Sequence, residues 1–266
     1  MKRNPKPETT LLCEGLPTPH AIRPKVSTAA RSGDLRRTMR TMMFMLAVCC
    51  AALRCATAET TDASKPPPGF VALFNGKDLT GWKGLVDNPI KRAKMTPDQL
   101  KAAQAKADES MRAHWKAVDG ELVFDGKGQS LCTAKDYKDF EMLVDWKILP
   151  KGDSGIYLRG SPQVQIWDNP LGSGGLYNNK KNPSNPLVVA DKPIGQWNTF
   201  RIKMVGEKVT VYLNDKLVVD NVTLENYWDR KQPIFPAGQI ELQNHGNTLW
   251  FRNIFVRELA DEGGKQ

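Results

Sequence analysis

The sequence predicts an all-β sandwich or jelly roll. Many short stretches alternate apolar and polar residues, Gly-, Asn- and Asp-rich turns separate them, and only one segment has the composition of a long helix. Composition also sets the boundaries: a leader over 1–58, a linker over 59–68, one domain over 69–259 and a short tail over 260–266.

The leader holds most of the net charge. The 266 residues carry a formal charge of +9, but residues 1–58 alone contain 10 Lys+Arg against 3 Asp+Glu. The remaining 208 residues hold 28 against 26, which leaves no basic stripe for phosphates and argues against a nucleic-acid partner. Within the leader, Arg36, Arg37 and Arg40 precede the apolar run "MMFMLAVCCAAL" (42–53), and Ala56-Thr57-Ala58 follows. These are the parts of a secretory signal, with cleavage expected near Ala58-Glu59. The run is too short to span a bilayer, so the mature chain is expected to lack an integral membrane segment and to be periplasmic or extracellular. A polar lead over 1–38 is unusual before a signal, so a start at Met39 or Met42 is expected. Lipid anchoring through Cys49 or Cys55 is the weaker reading, because Val48 and Arg54 are poor residues to precede a modified cysteine. Only Cys132 follows the leader, so an apolar core rather than a disulfide must hold the fold.

After the Pro-rich linker, "FVALFNG" (70–76), "GELVFDGKG" (120–128) and "DFEMLVDWKIL" (139–149) read as strands bounded by turns. "WNTFRIKMVGEKVTVYLNDKLVVDNV" (197–222) gives three strands turning at Gly206-Glu207 and Asn214-Asp215, and "GQIELQNHGNTLWFRNIFVREL" (238–259) gives two more. One helix interrupts them, at about 96–115: Thr96 is its N-cap, Pro97 stands at N1 and Gln99 at N3. Its thin stripe of Leu100, Ala103, Ala107, Met111 and Trp115 suits a helix covering the outside of the sandwich.

Strand alternation sorts the polar side chains. "GDSGIYLRGSPQVQIWDN" (152–169) reads as two strands about a Gly-Ser-Pro turn. Ile156, Leu158, Val164 and Ile166 share its apolar face; Tyr157, Arg159, Gln163, Gln165 and Trp167 take the other. Glu141 and Asp145 stand opposite Phe140, Met142, Val144 and Trp146, and Glu241, Gln243 and His245 stand opposite Ile240 and Leu242. With the apolar faces in the core, these groups line the outside of one or both sheets. On neighbouring strands they would make a basin of carboxylate, amide, guanidinium, imidazole and aromatic groups. Such a set suits sugars, whose hydroxyls need planar donors and acceptors and whose C–H faces stack on indoles. Tyr177, in the turn-rich loop "GLYNNKKNPSNP" (175–186), can overhang it. An ordinary solvated sheet face also alternates; the shortage of Lys, Thr and Ser sets this one apart. His245 alone fits a turn residue, and Arg159 alone fits a cross-strand pair with Asp145 or Glu241. One Cys and two His beyond the leader cannot assemble a zinc cluster, and no Gly-rich phosphate loop is present, so neither metal nor cofactor is expected.

"GFVALFNGKDLTGW", "DFEMLVDWKI", "GDSGIYLRG", "QVQIWDN", "GQWNTFRIKMVGEKVTVYLNDKLVVD" and "GQIELQNHGNTLWFRNIFVREL" resemble, in order, the blocks of the 3-keto-disaccharide hydrolase domain family. The likeness spans 69–259 and implies a concanavalin-like jelly roll of two antiparallel sheets, exported by bacteria that degrade glycosides. Two departures stand out. Gln163 occupies a position where the family often has Glu, and residues 85–115 lengthen the spacing between the first two blocks.

The implied activity has a simple chemical logic. A ketone at C3 of a sugar acidifies the C2 hydrogen; a base removes it, the C1 substituent leaves, and water adds to the enone. Such a site needs a base, a group for the enolate oxygen and an acid for the leaving oxygen. For this chemistry His245 or Asp145 is the candidate base, Arg159 with Gln165 the enolate partners, and Glu241 or Asp168 the acid. Tyr157, Gln163, Gln165, Trp167, Gln243, Glu141 and Tyr177 are the candidate substrate-binding residues. Ordinary hydrolysis by two carboxylates among Glu141, Asp145 and Glu241 is one alternative. A non-catalytic carbohydrate-binding module is another, since jelly rolls host both roles.

Overall fold

The computed structural model describes residues 65–260. The leader, with its expected signal and its four cysteines, lies outside the described residues, as does the tail beyond Ala260. In chain order the elements are β1 (Val71–Ala72), β2 (Trp82–Gly84), α1 (Pro89–Arg92), α2 (Pro97–His114), β3 (Trp115–Val118), β4 (Glu121–Phe124), β5 (Leu131–Thr133) and β6 (Phe140–Ile148). Then follow β7 (Asp153–Leu158), β8 (Ser161–Trp167), β9 (Asn198–Val205), β10 (Lys208–Leu213), β11 (Lys216–Thr223), β12 (Glu241–Leu242) and β13 (Leu249–Glu258).

The strands make two antiparallel sheets. An eight-stranded sheet runs β11-β10-β9-β6-β13-β4-β3, with β1 also paired to β13, and a five-stranded sheet runs β2-β5-β12-β7-β8. Their apolar faces meet in one core. Phe140, Met142, Val144 and Trp146 of β6 and Phe200, Ile202 and Met204 of β9 come from the larger sheet. Ile156 and Leu158 of β7, Val164 and Ile166 of β8, and Leu242 of β12 come from the smaller one. All are at most 1% exposed, and each such side chain contributes roughly 1.5–3 kcal/mol by leaving water. Strict alternation in β9, buried at every second residue, leaves Thr199, Arg201, Lys203 and Val205 outside. The hairpins of β9, β10 and β11 follow the expected turns.

The helix forms as its cap predicts. Thr96 Oγ1 accepts from Gln99 N, and Gln99 Oε1 accepts from Thr96 N at 2.9 Å. It covers the sandwich as expected, and it does so at an edge. α2 packs on β2, the edge of the smaller sheet, and on β3, the edge of the larger one. It therefore closes the side of the sandwich, and Ala107 and Met111 are buried, with Met111 in the core. Contact at β2 is intimate: a Cβ on Gly84 would stand 2.0 Å from the Ala107 carbonyl oxygen. Gly84 N also donates to Asp108 Oδ1 at 2.9 Å, and Gln104 Nε2 donates to the Gly84 carbonyl at 2.9 Å. Trp115 is fully buried as the first residue of β3 rather than the last of the helical stripe.

Two further expectations change. Of 70–76 only Val71–Ala72 is strand, exposed and paired to β13. The β7–β8 turn sits at Arg159-Gly160, both with positive φ (53° and 73°), so Ser161 and Pro162 already belong to β8. Among the described residues no helix is long and apolar enough to cross a membrane.

Candidate functional site

The outer face of the five-stranded sheet carries the polar residues that sequence alternation assigned to β7, β8 and β12. Across the sheet, Glu241 stands between Cys132 and Tyr157. Gln243 follows it along the strand line, donating its backbone N–H to the Gly155 carbonyl, and Gly155 is paired with Gln165. Beyond lie Asp153, paired with Trp167, and His245, whose Nδ1 is 3.8 Å from Asp153 Oδ2. Gly155 leaves the centre of this floor without a side chain. A Cβ there would come within 2.9 Å of Gln163 Cδ, so the Gln163 amide lies across the gap.

A directed chain of hydrogen bonds fixes the His245 end. Gln163 Nε2 donates to Gln165 Oε1, and Gln165 Nε2 donates to Asp153 Oδ1 at 2.8 Å. Both amides are buried while His245 is exposed. Asp153 therefore has one oxygen committed to the interior and the other turned to the imidazole. The second oxygen thus stands beside the exposed imidazole.

The opposite end is drier. Tyr157 Oη accepts from Gln243 Nε2 at 3.2 Å, and burial, with the nearby Glu241 carboxyl adding to it, holds the phenol above its ordinary pKa. Glu241 is 2% exposed and its Oε1 has no hydrogen-bond partner. Burial pushes its carboxyl up to about 8, against the opposing pull of Arg92, so it holds its proton at neutral pH. Burial likewise pushes the Cys132 thiol up to about 12, which leaves it inert as a nucleophile.

Aromatic side chains flank the floor. Trp167 donates Nε1–H to the Gly172 carbonyl at 2.7 Å and meets Tyr177 edge-on, with centroids 5.2 Å apart. The loop beyond Tyr177 is pinned by Glu225, which accepts from the backbone N–H groups of Lys180, Lys181 and Asn182 and from Arg230 Nη1. Burial raises the Glu225 carboxyl, but these backbone bonds outweigh it and hold the group down at about 2. On another side Tyr227 stacks edge-on against Trp228, whose Nε1 donates to the Gly160 carbonyl at 2.7 Å.

Several expected members are elsewhere. The positive φ at Arg159 turns its side chain away from the floor. Its guanidinium, 3% exposed, donates to Asp139 Oδ1 and to the Lys138 carbonyl, both at 2.6 Å. Arg159 is thus a buried structural ion pair and not an enolate partner. Glu141 and Asp145 lie on the outer face of the other sheet, with the core between them and the floor. Glu141 pairs with Arg201 and Arg257, and Asp145 accepts from Thr199, Arg252 and Asn253. Neither can act with His245, and no carboxylate pair forms with Glu241. Asp168 is exposed and accepts the Lys151 backbone N–H at 2.8 Å, a turn contact rather than an acid beside Glu241. Glu241 itself is on the floor but at the far end from His245: its Oε1 lies 3.4 Å from where a Cβ on Gly160 would be.

Sequence reasoning missed Asp153, Gln239 and Arg92. Asp153 shares strand parity with Tyr157, and Gln239 shares it with Glu241 and His245, so the period of two carries both. Arg92 ends α1, whose start is signalled locally by Asn88 as N-cap, accepting from Lys91 N at 3.0 Å, and by Pro89 at its first position.

Comparisons with known proteins agree with this architecture. The 3-keto-disaccharide hydrolase of Bacteroides thetaiotaomicron is 24% identical over 265 residues, covering 78% of this chain and 84% of that protein. A crystal structure of a candidate glycosyl hydrolase from Parabacteroides distasonis superposes with a TM-score of 0.56 at 27% identity, covering 73% of this chain and 85% of the other. A second from the same organism gives 0.53 at 22% identity, covering 72% and 95%. Through residues 69–257, which match it as one continuous block, the chain belongs to the family of 3-keto-alpha-glucoside-1,2-lyase-like domains.

Proposed function

We propose that this protein cleaves 3-keto-disaccharides or related oxidised glycosides on the outer face of its five-stranded sheet. The observation that carries the proposal is the His245–Asp153 pair on a floor of buried amides, within a family named for this chemistry. His245 removes the C2 proton of a 3-keto sugar, with Asp153 holding the ring and balancing its positive charge. Tyr157, whose phenol keeps its proton and leans toward Gln243, donates to the oxygen on which charge develops. Electrons from the C2–H bond form the C1–C2 double bond as the C1–O bond breaks, and the departing oxygen takes a proton. Water then adds its oxygen to C1 and a proton to C2, so the net change is hydrolysis.

The test is direct. Purified protein is incubated with a 3-keto-glucoside and with its unoxidised parent in deuterated water. Release from the 3-keto compound alone, with deuterium at C2 of the product, supports elimination followed by hydration. Equal release from both substrates points to direct hydrolysis instead. The exposed Tyr177 against Trp167 favours one second reading, a non-catalytic saccharide-binding module, for which binding without release is the expected result. Export through the signal over residues 36–58 is part of the same proposal, and finding uncleaved Met39 in the native protein would overturn that part.

A further inference from the structure

A separate pocket of about 310 Å3 opens on the outer face of the eight-stranded sheet, with the core between it and the floor at His245. Lys203 and Val205 of β9, Lys208 and Thr210 of β10, Asn221 of β11 and Leu259 line it. An irregularity in the sheet shapes this wall. Val209 faces Val222 but Val211 faces Val219, so the regular pairing of β10 with β11 breaks between them. Asn221 stands in the break with a φ of 51° and donates its backbone N–H to Thr210 Oγ1 at 3.2 Å. A left-handed residue other than glycine is uncommon, and such positions gather at ligand-binding sites.

Charge around the pocket is arranged in depth. Glu141, opposite Lys203 across the strands, has a side chain only 9% exposed and pairs with Arg201 and Arg257, whose side chains are 49% and 42% exposed. The acid lies beneath its two guanidinium groups, so the layer that meets solvent is cationic. Among the described residues no acidic side chain lines the pocket itself. Lys208 Nζ donates to Thr223 Oγ1 at 2.8 Å, which leaves two of its three N–H donors for a ligand. Lys203 is exposed and has no hydrogen-bond or ion-pair partner among the described residues.

The lining combines three kinds of group. Two ammonium groups suit a carboxylate, the Thr210 hydroxyl and the Asn221 amide suit ring hydroxyls, and Val205 with Leu259 offers apolar surface to C–H groups. A bare phosphate would use the lysines alone, and a nucleic acid needs a stripe of cations rather than one pocket. We propose that this pocket binds a carboxylate-bearing sugar unit, so that an acidic glycan can hold the protein by the sheet opposite to the His245 floor. The site goes beyond the proposed reaction and does not depend on it.

The experiment measures Kd by titration calorimetry at one ionic strength, with trigalacturonate, a neutral galactose trisaccharide and inorganic phosphate as probes. Wild type is compared with the double variant Lys203→Met, Lys208→Met, with Asn221→Gly and with His245→Gln. Trigalacturonate is expected to bind the wild type about tenfold or more tighter than the neutral trisaccharide, and the double variant to lose that preference. Asn221→Gly should weaken trigalacturonate severalfold with no loss in thermal midpoint, because glycine accepts the left-handed backbone without strain. His245→Gln should keep the wild-type affinity, which separates this pocket from the floor whether or not the protein turns over a 3-keto sugar. Equal affinity for the two trisaccharides, or an unchanged preference in the double variant, overturns the proposal. Phosphate binding as tightly as trigalacturonate would mean a bare anion site and overturns it as well.

Discussion

Asp153 faces His245 across 3.8 Å while its other oxygen accepts from Gln165 at 2.8 Å, so the carboxylate nearest the imidazole is anchored from within the sheet. If His245 is the base, as proposed, its activity should depend on Asp153 and the amides behind it. His245→Gln is expected to lower turnover of a 3-keto-glucoside by roughly a hundredfold or more, the usual worth of a positioned base. Asp153→Asn should give a smaller loss with little change in KM. Steady-state kinetics of both variants check this, and wild-type turnover in His245→Gln would remove it from the chemistry.

Glu241 makes stability fall as pH rises. Its carboxyl titrates near 8 in the fold and near 4.5 when unfolded. Between those values the native state binds the extra proton, so each pH unit costs up to about 1.4 kcal/mol. That contribution is complete below 4.5, is lost progressively and is gone above 8. Urea midpoints for the wild type and Glu241→Gln at pH 4, 6.5 and 9 should therefore diverge, the variant gaining relative stability at each step. Parallel curves would mean that Glu241 does not hold its proton in the fold.

Arg159 is a stability residue. Its removal leaves Asp139, with a side chain 10% exposed, facing the space the guanidinium filled. Arg159→Met is expected to cost roughly 3–5 kcal/mol of unfolding free energy. The protein that remains folded should keep its kcat, a result that chemical denaturation and assays below the transition can separate.

Gly84 sets how closely α2 approaches the sheet. A methyl group at 2.0 Å from the Ala107 carbonyl cannot be accommodated without moving the helix. Gly84→Ala should cost about 1–3 kcal/mol or more, with the loss concentrated in α2. Hydrogen exchange localises it; uniform loss of protection, or none, would contradict the close packing.

Much of the fold is legible in the sequence because burial and strand period coincide. β6 to β11 and β13 alternate or run apolar as their packing demands, and the cap at Thr96 marks the helix without tertiary help. Short strands such as Trp82–Gly84 and Leu131–Thr133 are set by pairing with β12 and each other, so no local pattern reveals them. The site divides the same way. Tyr157, Gln163, Gln165, Trp167, Gln243 and His245 share one face, as alternation requires. Alternation fails at Arg159, where a positive φ reverses the side chain, and it cannot tell which sheet Glu141 and Asp145 face. It is also silent on Arg92, which lies on a short helix and not on a strand.

The nest around Glu225 implies two different kinds of fastening in one binding surface. The core side of the floor is held by apolar burial, which acid scarcely touches. The loop beyond Tyr177 is held by bonds from Arg230 to the Asn178 carbonyl and from Asn179 to the Pro183 and Thr223 carbonyls. It is held in addition by the Glu225 carboxylate, which must stay ionised to keep its backbone donors. Its stabilisation is complete above about 4.5 and is lost as pH falls through about 2. Strong acid should therefore loosen residues 180–182 before the apolar core gives way.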